Sequence, residues 1–280
     1  MGELVDVNRD GAIARVVMHR KGNNSIAEDL MAELAAAFEE LGQDPSVRVV
    51  VLASEYEKYF SVGADLASLA GIDRSAPDAT DQIALFMRRM NHHFNAIERC
   101  PKPVIAAING HALGGGSELT LCCDFRVMAE DGRSRIGQTE SSLGIIPGAG
   151  GTQRLPRLIG KARAQRYIIE STRLSAKEAE AVGWVDRAVG PEEFQAAVDE
   201  LSGRLAKAAT FAIDDQGRDP PRRGPSPRRG TRDRVPELRP RSVEHRRRDR
   251  RHVLLEQART GVHGLVTLSM SKPASAVRRR

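Results

Sequence analysis

An apolar run set between backbone breakers, Val104 to Ile108 after Pro103 and before Gly110, constrains this chain more than any other stretch. Its length, composition and flanks are those of a buried strand. The strand leads to a glycine-dense turn, Gly114-Gly115-Gly116, which opens directly into a helical pattern containing one acid, Glu118. A second acid, Glu140, stands some twenty residues on, just before another glycine-rich turn from Gly144 to Gly151. Two carboxylates among loops that bare backbone N–H groups suggest acid/base chemistry beside an anion-stabilising nest.

The flanking sequence extends the same architecture. Residues 11–19 read as a strand, and Val47 to Ala53 as a second one apolar enough to be buried on both faces. Between them Ser25 and Glu28 have capping-box spacing, predicting a helix from there to about Leu41 with Ile26, Leu30, Leu34, Phe38 and Leu41 on one face. Ser54 to Leu69 begins as a polar loop and holds Val62-Gly63-Ala64-Asp65, which reads equally as an ordinary glycine turn or as a small-residue turn that exposes N–H groups to a ligand oxygen. Gly71 to Asp81 reads as a loop, and Gln82 to Arg99 as a long amphipathic helix. His92 and His93 lie on that helix about 100° apart, so they do not chelate a metal jointly. Further on, Asp124 to Ala129 reads as a strand, Ala162 to Glu170, Ala176 to Ala181 and Glu192 to Ala209 as helices, and Trp184 to Val189 as a short strand. Alternation of this kind predicts an α/β protein.

Charge divides the chain at about residue 213. Residues 214–280 hold 19 of the 43 Lys+Arg but 8 of the 37 Asp+Glu, which leaves residues 1–213 with a net charge of −5. From Asp214 to Arg251 there are 14 arginines and three aliphatic residues, Val235, Leu238 and Val243. Such a segment cannot bury enough apolar surface to offset its chain entropy. Two expectations follow: a domain at 1–213, and an Arg/Pro-rich segment at 214–280 that is disordered or the product of a shifted reading frame in a GC-rich gene. A basic tail could also hold nucleic acid by counterion release, but it lacks interleaved aromatics for base stacking.

Other classes are excluded or unsupported. No apolar run approaches the roughly 20 residues of a membrane span, and the acidic N-terminus lacks a signal-peptide layout, so a cytoplasmic location is expected. Cys100, Cys122 and Cys123 fit neither a disulfide framework nor zinc spacing and are expected to be buried thiols. Gly148 to Gln153 has Gln where a dinucleotide fingerprint needs glycine, and Leu119 stands where a nucleophile elbow needs one.

Taken together, S-V-G-A-D-L (61–66), N-G-H-A-L-G-G-G-S-E-L (109–119), C-D-F-R (123–126) and G-Q-T-E-S-S-L-G-I-I-P-G-A-G-G-T-Q-R-L-P (137–156) resemble the enoyl-CoA hydratase/isomerase, or crotonase, superfamily. The resemblance covers about residues 5–210. It implies a spiral of ββα repeats with a helical C-terminal region, assembled as trimers or hexamers; here the Arg/Pro-rich segment stands where that region should continue. It further implies an oxyanion hole from the N–H groups of Val62 and Gly115, and an acyl-CoA contact along Val62, Gly63, Ala64, Asp65 and Gly115. Family members that hydrate a 2-enoyl thioester carry two acids, matching Glu118 and Glu140, whereas isomerase relatives commonly keep one. The implied reaction is syn hydration of a 2-enoyl-CoA, with double-bond isomerisation or thioester hydrolysis as alternatives. No metal and no cofactor are implied, coenzyme A being part of the substrate.

Overall fold

The computed structural model describes residues 2–65 and 78–208. The predicted segment 214–280 and most of the predicted loop 71–81 lie outside those residues. The chain opens with a hairpin, β1 (Val5–Asp10) and β2 (Ile13–Met18), that pairs antiparallel. β3 (Val49–Ser54), β5 (Val104–Ile108), β7 (Phe125–Ala129) and β9 (Arg187–Val189) then add in parallel, giving a six-stranded sheet in the order β1-β2-β3-β5-β7-β9. β4 (Tyr59–Ser61), β6 (His111–Leu113) and β8 (Ile136–Gly137) form a second, parallel sheet.

Chain order and sheet order together define the spiral. Each of the pairs β3/β4, β5/β6 and β7/β8 puts its first strand in the large sheet and its second in the small one. A helix follows each pair: α2 (Ala79–Glu98), α3 (Gly115–Thr120) and α4 (Gly151–Ile159). The earlier helix α1 (Glu28–Gln43) precedes β3, and α5 (Lys161–Ile169), α6 (Ala176–Ala181) and α7 (Pro191–Lys207) complete the described chain. The expected ββα repeats are therefore present.

The central strands read as continuous apolar runs because both faces of the large sheet are covered. Val50, Leu52, Val104, Ala106, Ile108 and Met128 enter the main core, shared with Leu30, Leu34 and Phe38 of α1 and Phe94 and Ile97 of α2. The alternating residues Val49, Val51, Ile105, Ala107 and Val127 face the other way, onto Ala197 and Val198 of α7. This is the period-2 alternation of a strand with apolar partners on both sides.

Four sequence readings need correction. The Ser25–Glu28 capping box does not form: α1 starts at Glu28 after Ala27, and the Ser25 hydroxyl instead accepts from Arg20 Nη1 at 2.6 Å. The same helix runs to Gln43, with Gly42 buried inside it. β1 escaped detection because only Val5 of its six residues is buried. The strand expected at Trp184–Val189 is confined to Arg187–Val189, since Trp184 is fully buried and stacks on Tyr167 with ring centroids 6.2 Å apart. Cys100, Cys122 and Cys123 are buried free thiols, as expected.

Candidate active site

Glu118 sits in the first turn of α3, and all six residues of this helix are buried. Its carboxylate is 2% exposed, a position a charged group holds only with partners. The partners come from the second glycine-rich turn: Oε1 accepts from the N–H groups of Ala149 at 2.9 Å and Gly151 at 2.7 Å. These bonds favour the charged form, and so does the nearby Arg154 guanidinium. Burial and the adjacent Glu140 carboxylate oppose them and win, pushing the Glu118 pKa up to about 7.

Glu140 opens the short 3₁₀ helix Glu140–Leu143 and is 7% exposed. Its Oε2 is buried and makes no hydrogen bond to the protein. Burial raises its pKa as well, against hydrogen bonds from the Thr139 and Glu140 backbone. Its Oε1 lies 3.2 Å from the point where a Cβ on Gly114 would stand. Gly114 has φ +52°, ψ −124°, a backbone conformation open to glycine alone, so the turn before Glu118 is also the turn that makes room for Glu140.

The segment Val62–Asp65 runs beside the same turn. Gly63 (φ +91°) packs so closely that a Cβ would come 2.6 Å from Leu113 O and 3.0 Å from Gly115 N. The chain ahead of α1 anchors this segment: Ile26 N–H donates to Gly63 O at 2.7 Å, Asp65 N–H donates to Ile26 O at 2.8 Å, and Arg20 Nη1 pairs with Asp65 Oδ2 at 3.0 Å. Of the two N–H groups singled out as donors, that of Gly115 opens a helix and has no intrahelical acceptor. That of Val62 donates to Asn23 O at 3.2 Å, so a ligand oxygen would compete with a long internal bond there.

The structure therefore brings Gly63, Gly114, Gly115 and Glu140 into one neighbourhood, with Glu118 one turn further into the protein. Two buried acids of raised pKa beside backbone donors can pass protons to and from a substrate whose oxygen gathers negative charge. Among the described residues no cluster of three metal-ligating side chains occurs.

Sequence reading missed the side chains that hold this arrangement. Arg126, the last residue of C-D-F-R, donates to the carbonyls of Thr120 (3.4 Å), Cys123 (2.6 Å) and Asp124 (3.1 Å), tying off the end of α3. Arg154 and Asn91 grip the Gly148–Gly151 turn. Arg154 did carry a signal: it shares one stripe of α4 with the buried Gly151, Leu155 and Ile159, and an arginine there requires buried acceptors.

A spiral of ββα repeats with a buried acid pair against a glycine turn defines a crotonase-type fold, and sequence comparison agrees. The family model for enoyl-CoA hydratase/isomerase matches residues 8–215; the chain belongs to this family. It is 37% identical over 212 residues to a crotonyl-CoA hydratase of Syntrophomonas wolfei, covering 75% of this chain and 78% of that one. A short-chain-enoyl-CoA hydratase of Clostridium acetobutylicum is 35% identical over 210 residues, covering 75% and 77%. The crystal structure of an enoyl-CoA hydratase from Geobacillus kaustophilus superposes with a TM-score of 0.69 at 35% identity, over 77% of this chain and 79% of that one.

Proposed function

We propose that this protein is an enoyl-CoA hydratase, adding water across the 2,3 double bond of a 2-enoyl-CoA thioester to give a 3-hydroxyacyl-CoA. The observation that carries the reading is the pair of buried acids, Glu118 and Glu140, both of raised pKa and near enough for the Glu140 carboxylate to help raise the pKa of Glu118. The names of similar hydratases support it.

Glu118 is the general base. With Oε1 held by two N–H donors, Oε2 takes a proton from water as its oxygen bonds to C3. The C2=C3 electrons shift toward the thioester and charge gathers on its oxygen. Gly115 N–H receives that oxygen, joined by Val62 N–H as its 3.2 Å bond to Asn23 gives way. One such donor is worth about 2.7–4 kcal/mol in a water-excluded site. Glu140 is the general acid and delivers a proton to C2. The two acids are neighbours in one site, close enough to couple electrostatically, so hydroxyl and hydrogen arrive on one face of the double bond, a syn addition. No step requires a metal or a separate cofactor.

The substrate contact runs along Val62, Gly63, Ala64, Asp65 and Gly115. Val62, half-buried beside the proposed oxyanion site, narrows the space for the acyl chain. The proposed assembly is a trimer or hexamer working in the cytoplasm.

The test is hydration of crotonyl-CoA by the full-length protein and by Glu118→Gln and Glu140→Gln. Each substitution removes one proton-transfer group and should lower kcat by about 10²–10⁴-fold with KM little changed. Turnover retained in either variant would remove that residue from its role, and double-bond migration without hydration would favour the isomerase reading.

A further inference from the structure

One face of helix α2 is built as a clasp on the turn that holds Glu118. Met87, Asn91, Asn95 and Glu98 follow one another at intervals of four, four and three, so they share a side of the helix. They flank the buried stripe of Met90, Phe94 and Ile97. Met87 packs on the turn so closely that a Cβ on Gly148 would stand 2.2 Å from its Cε. Asn91 Nδ2 donates to Gly148 O at 2.8 Å. Asn95 Oδ1 and Glu98 Oε2 accept from Arg154 Nη2 at 2.8 and 2.7 Å, while Arg154 Nη1 donates to Ala149 O at 2.7 Å.

The peptide geometry gives these contacts meaning. The carbonyl of Gly148 and the N–H of Ala149 belong to one planar peptide group. Asn91 holds its oxygen, and its N–H points to Glu118 Oε1. A donor at one end of a peptide polarises it and strengthens the bond made at the other. Arg154 fixes the next peptide by its oxygen, Ala149 O, and the peptide after that supplies the Gly151 N–H.

We propose that Asn91 and Arg154 are positioning residues for Glu118, acting through the carbonyls of Gly148 and Ala149 rather than by touching substrate. This rests on the reading of Glu118 as the general base. A purely structural role, an ion pair joining α2 to α4, would need the Arg154–Glu98 contact but neither carbonyl contact. The charged groups facing Glu118 are Glu140 from the 3₁₀ helix and Arg154 from α4, with Glu98 of α2 behind Arg154 and the Cys122 thiol neutral. Removing Arg154 therefore leaves Glu118 among negative groups with loosened N–H donors. Both changes raise its proton affinity, so the acid limb of activity moves to higher pH.

The experiment compares wild type with Asn91→Ala, Arg154→Gln and Arg154→Lys in two measurements. The first is the pH dependence of kcat and KM for crotonyl-CoA hydration. The second is the NMR titration of the Glu118 carboxyl carbon in ¹³C-glutamate-labelled protein, assigned by loss of its signal in Glu118→Gln. Arg154→Gln and Asn91→Ala should lower kcat by about 10- to 100-fold, the cost of a misplaced catalytic group, with KM within about twofold. The Glu118 titration should move up by roughly one unit in Arg154→Gln, and Arg154→Lys, which keeps the charge, should recover part of it. Unchanged kcat in folded Asn91→Ala and Arg154→Gln, with an unmoved Glu118 titration in Arg154→Gln, would overturn the inference. If the wild type proves not to hydrate, the proposed function fails, while the NMR titration still decides whether the clasp governs Glu118.

Discussion

Glu118 places an acid where a carboxylate is costly, and the cost has a sign that can be measured. Its ordinary pKa is 4.5 and its folded value about 7, so the folded state binds the proton more tightly than the unfolded chain. Stability attributable to this residue therefore falls as pH rises from about 4.5 and is lowest above 7, by up to about 3 kcal/mol. Glu118→Gln removes this penalty while keeping an oxygen for the Ala149 and Gly151 N–H groups. Urea unfolding should find the variant more stable than wild type at pH 8, with the gain vanishing near pH 4. A variant less stable at pH 8 would contradict the assigned burial cost. The pair carries the second consequence at this scale. Hydration needs one proton shared between Glu118 and Glu140, one acid ionised and the other protonated. The pH profile of kcat/KM should be bell-shaped, its two limbs belonging to the pair rather than to either residue. A profile rising monotonically through neutral pH would argue against a protonated partner.

At the scale of elements, the turns matter more than the helices. Gly114 bridges β6 and α3 in a conformation reserved for glycine and leaves space for Glu140, so Gly114→Ala should fail twice. Backbone strain should cost about 1–3 kcal/mol of stability, and a displaced Glu140 should lower kcat while acyl-CoA binding persists. Thermal unfolding with substrate-analogue titration would separate the two effects. These turns were legible in the sequence because glycine clusters and an apolar strand are local signals: β5, α3, Glu118 and Glu140 all come from a single stretch. Residues committed to long-range contacts were not. Ser25 and Glu28 have the spacing of a capping box, but Arg20 takes the Ser25 hydroxyl and the N-cap of α1 falls two residues later, at Ala27. Asn91 reads as a polar position on an amphipathic helix, and nothing local shows that its partner is Gly148, 57 residues away. Val62 was legible as a backbone donor, whereas its bond to Asn23 follows from how the 62–65 segment lies along residues 23–26.

On the scale of the molecule, the two sheets explain how one centre is assembled from segments far apart in sequence. Each spiral turn delivers a strand end and a following loop to the same side. Val62–Asp65 follows β4, Gly114–Gly115 follows β6, and Glu140 follows β8, all three strands neighbours in the small sheet. Turns at the ends of adjacent parallel strands meet whatever their separation along the chain. Every proposed catalytic residue thus lies within the described residues 2–65 and 78–208. The most direct measurement is product analysis after incubating crotonyl-CoA with the full-length protein in ²H₂O and, separately, in H₂¹⁸O. The expected product is 3-hydroxybutyryl-CoA with one deuteron at C2 or, in the second incubation, one ¹⁸O at C3, and neither label is acquired with Glu118→Gln or Glu140→Gln. Deuterium entering C2 or C4 of a recovered enoyl-CoA without oxygen at C3 would contradict it, because the acid pair would then move protons without adding water.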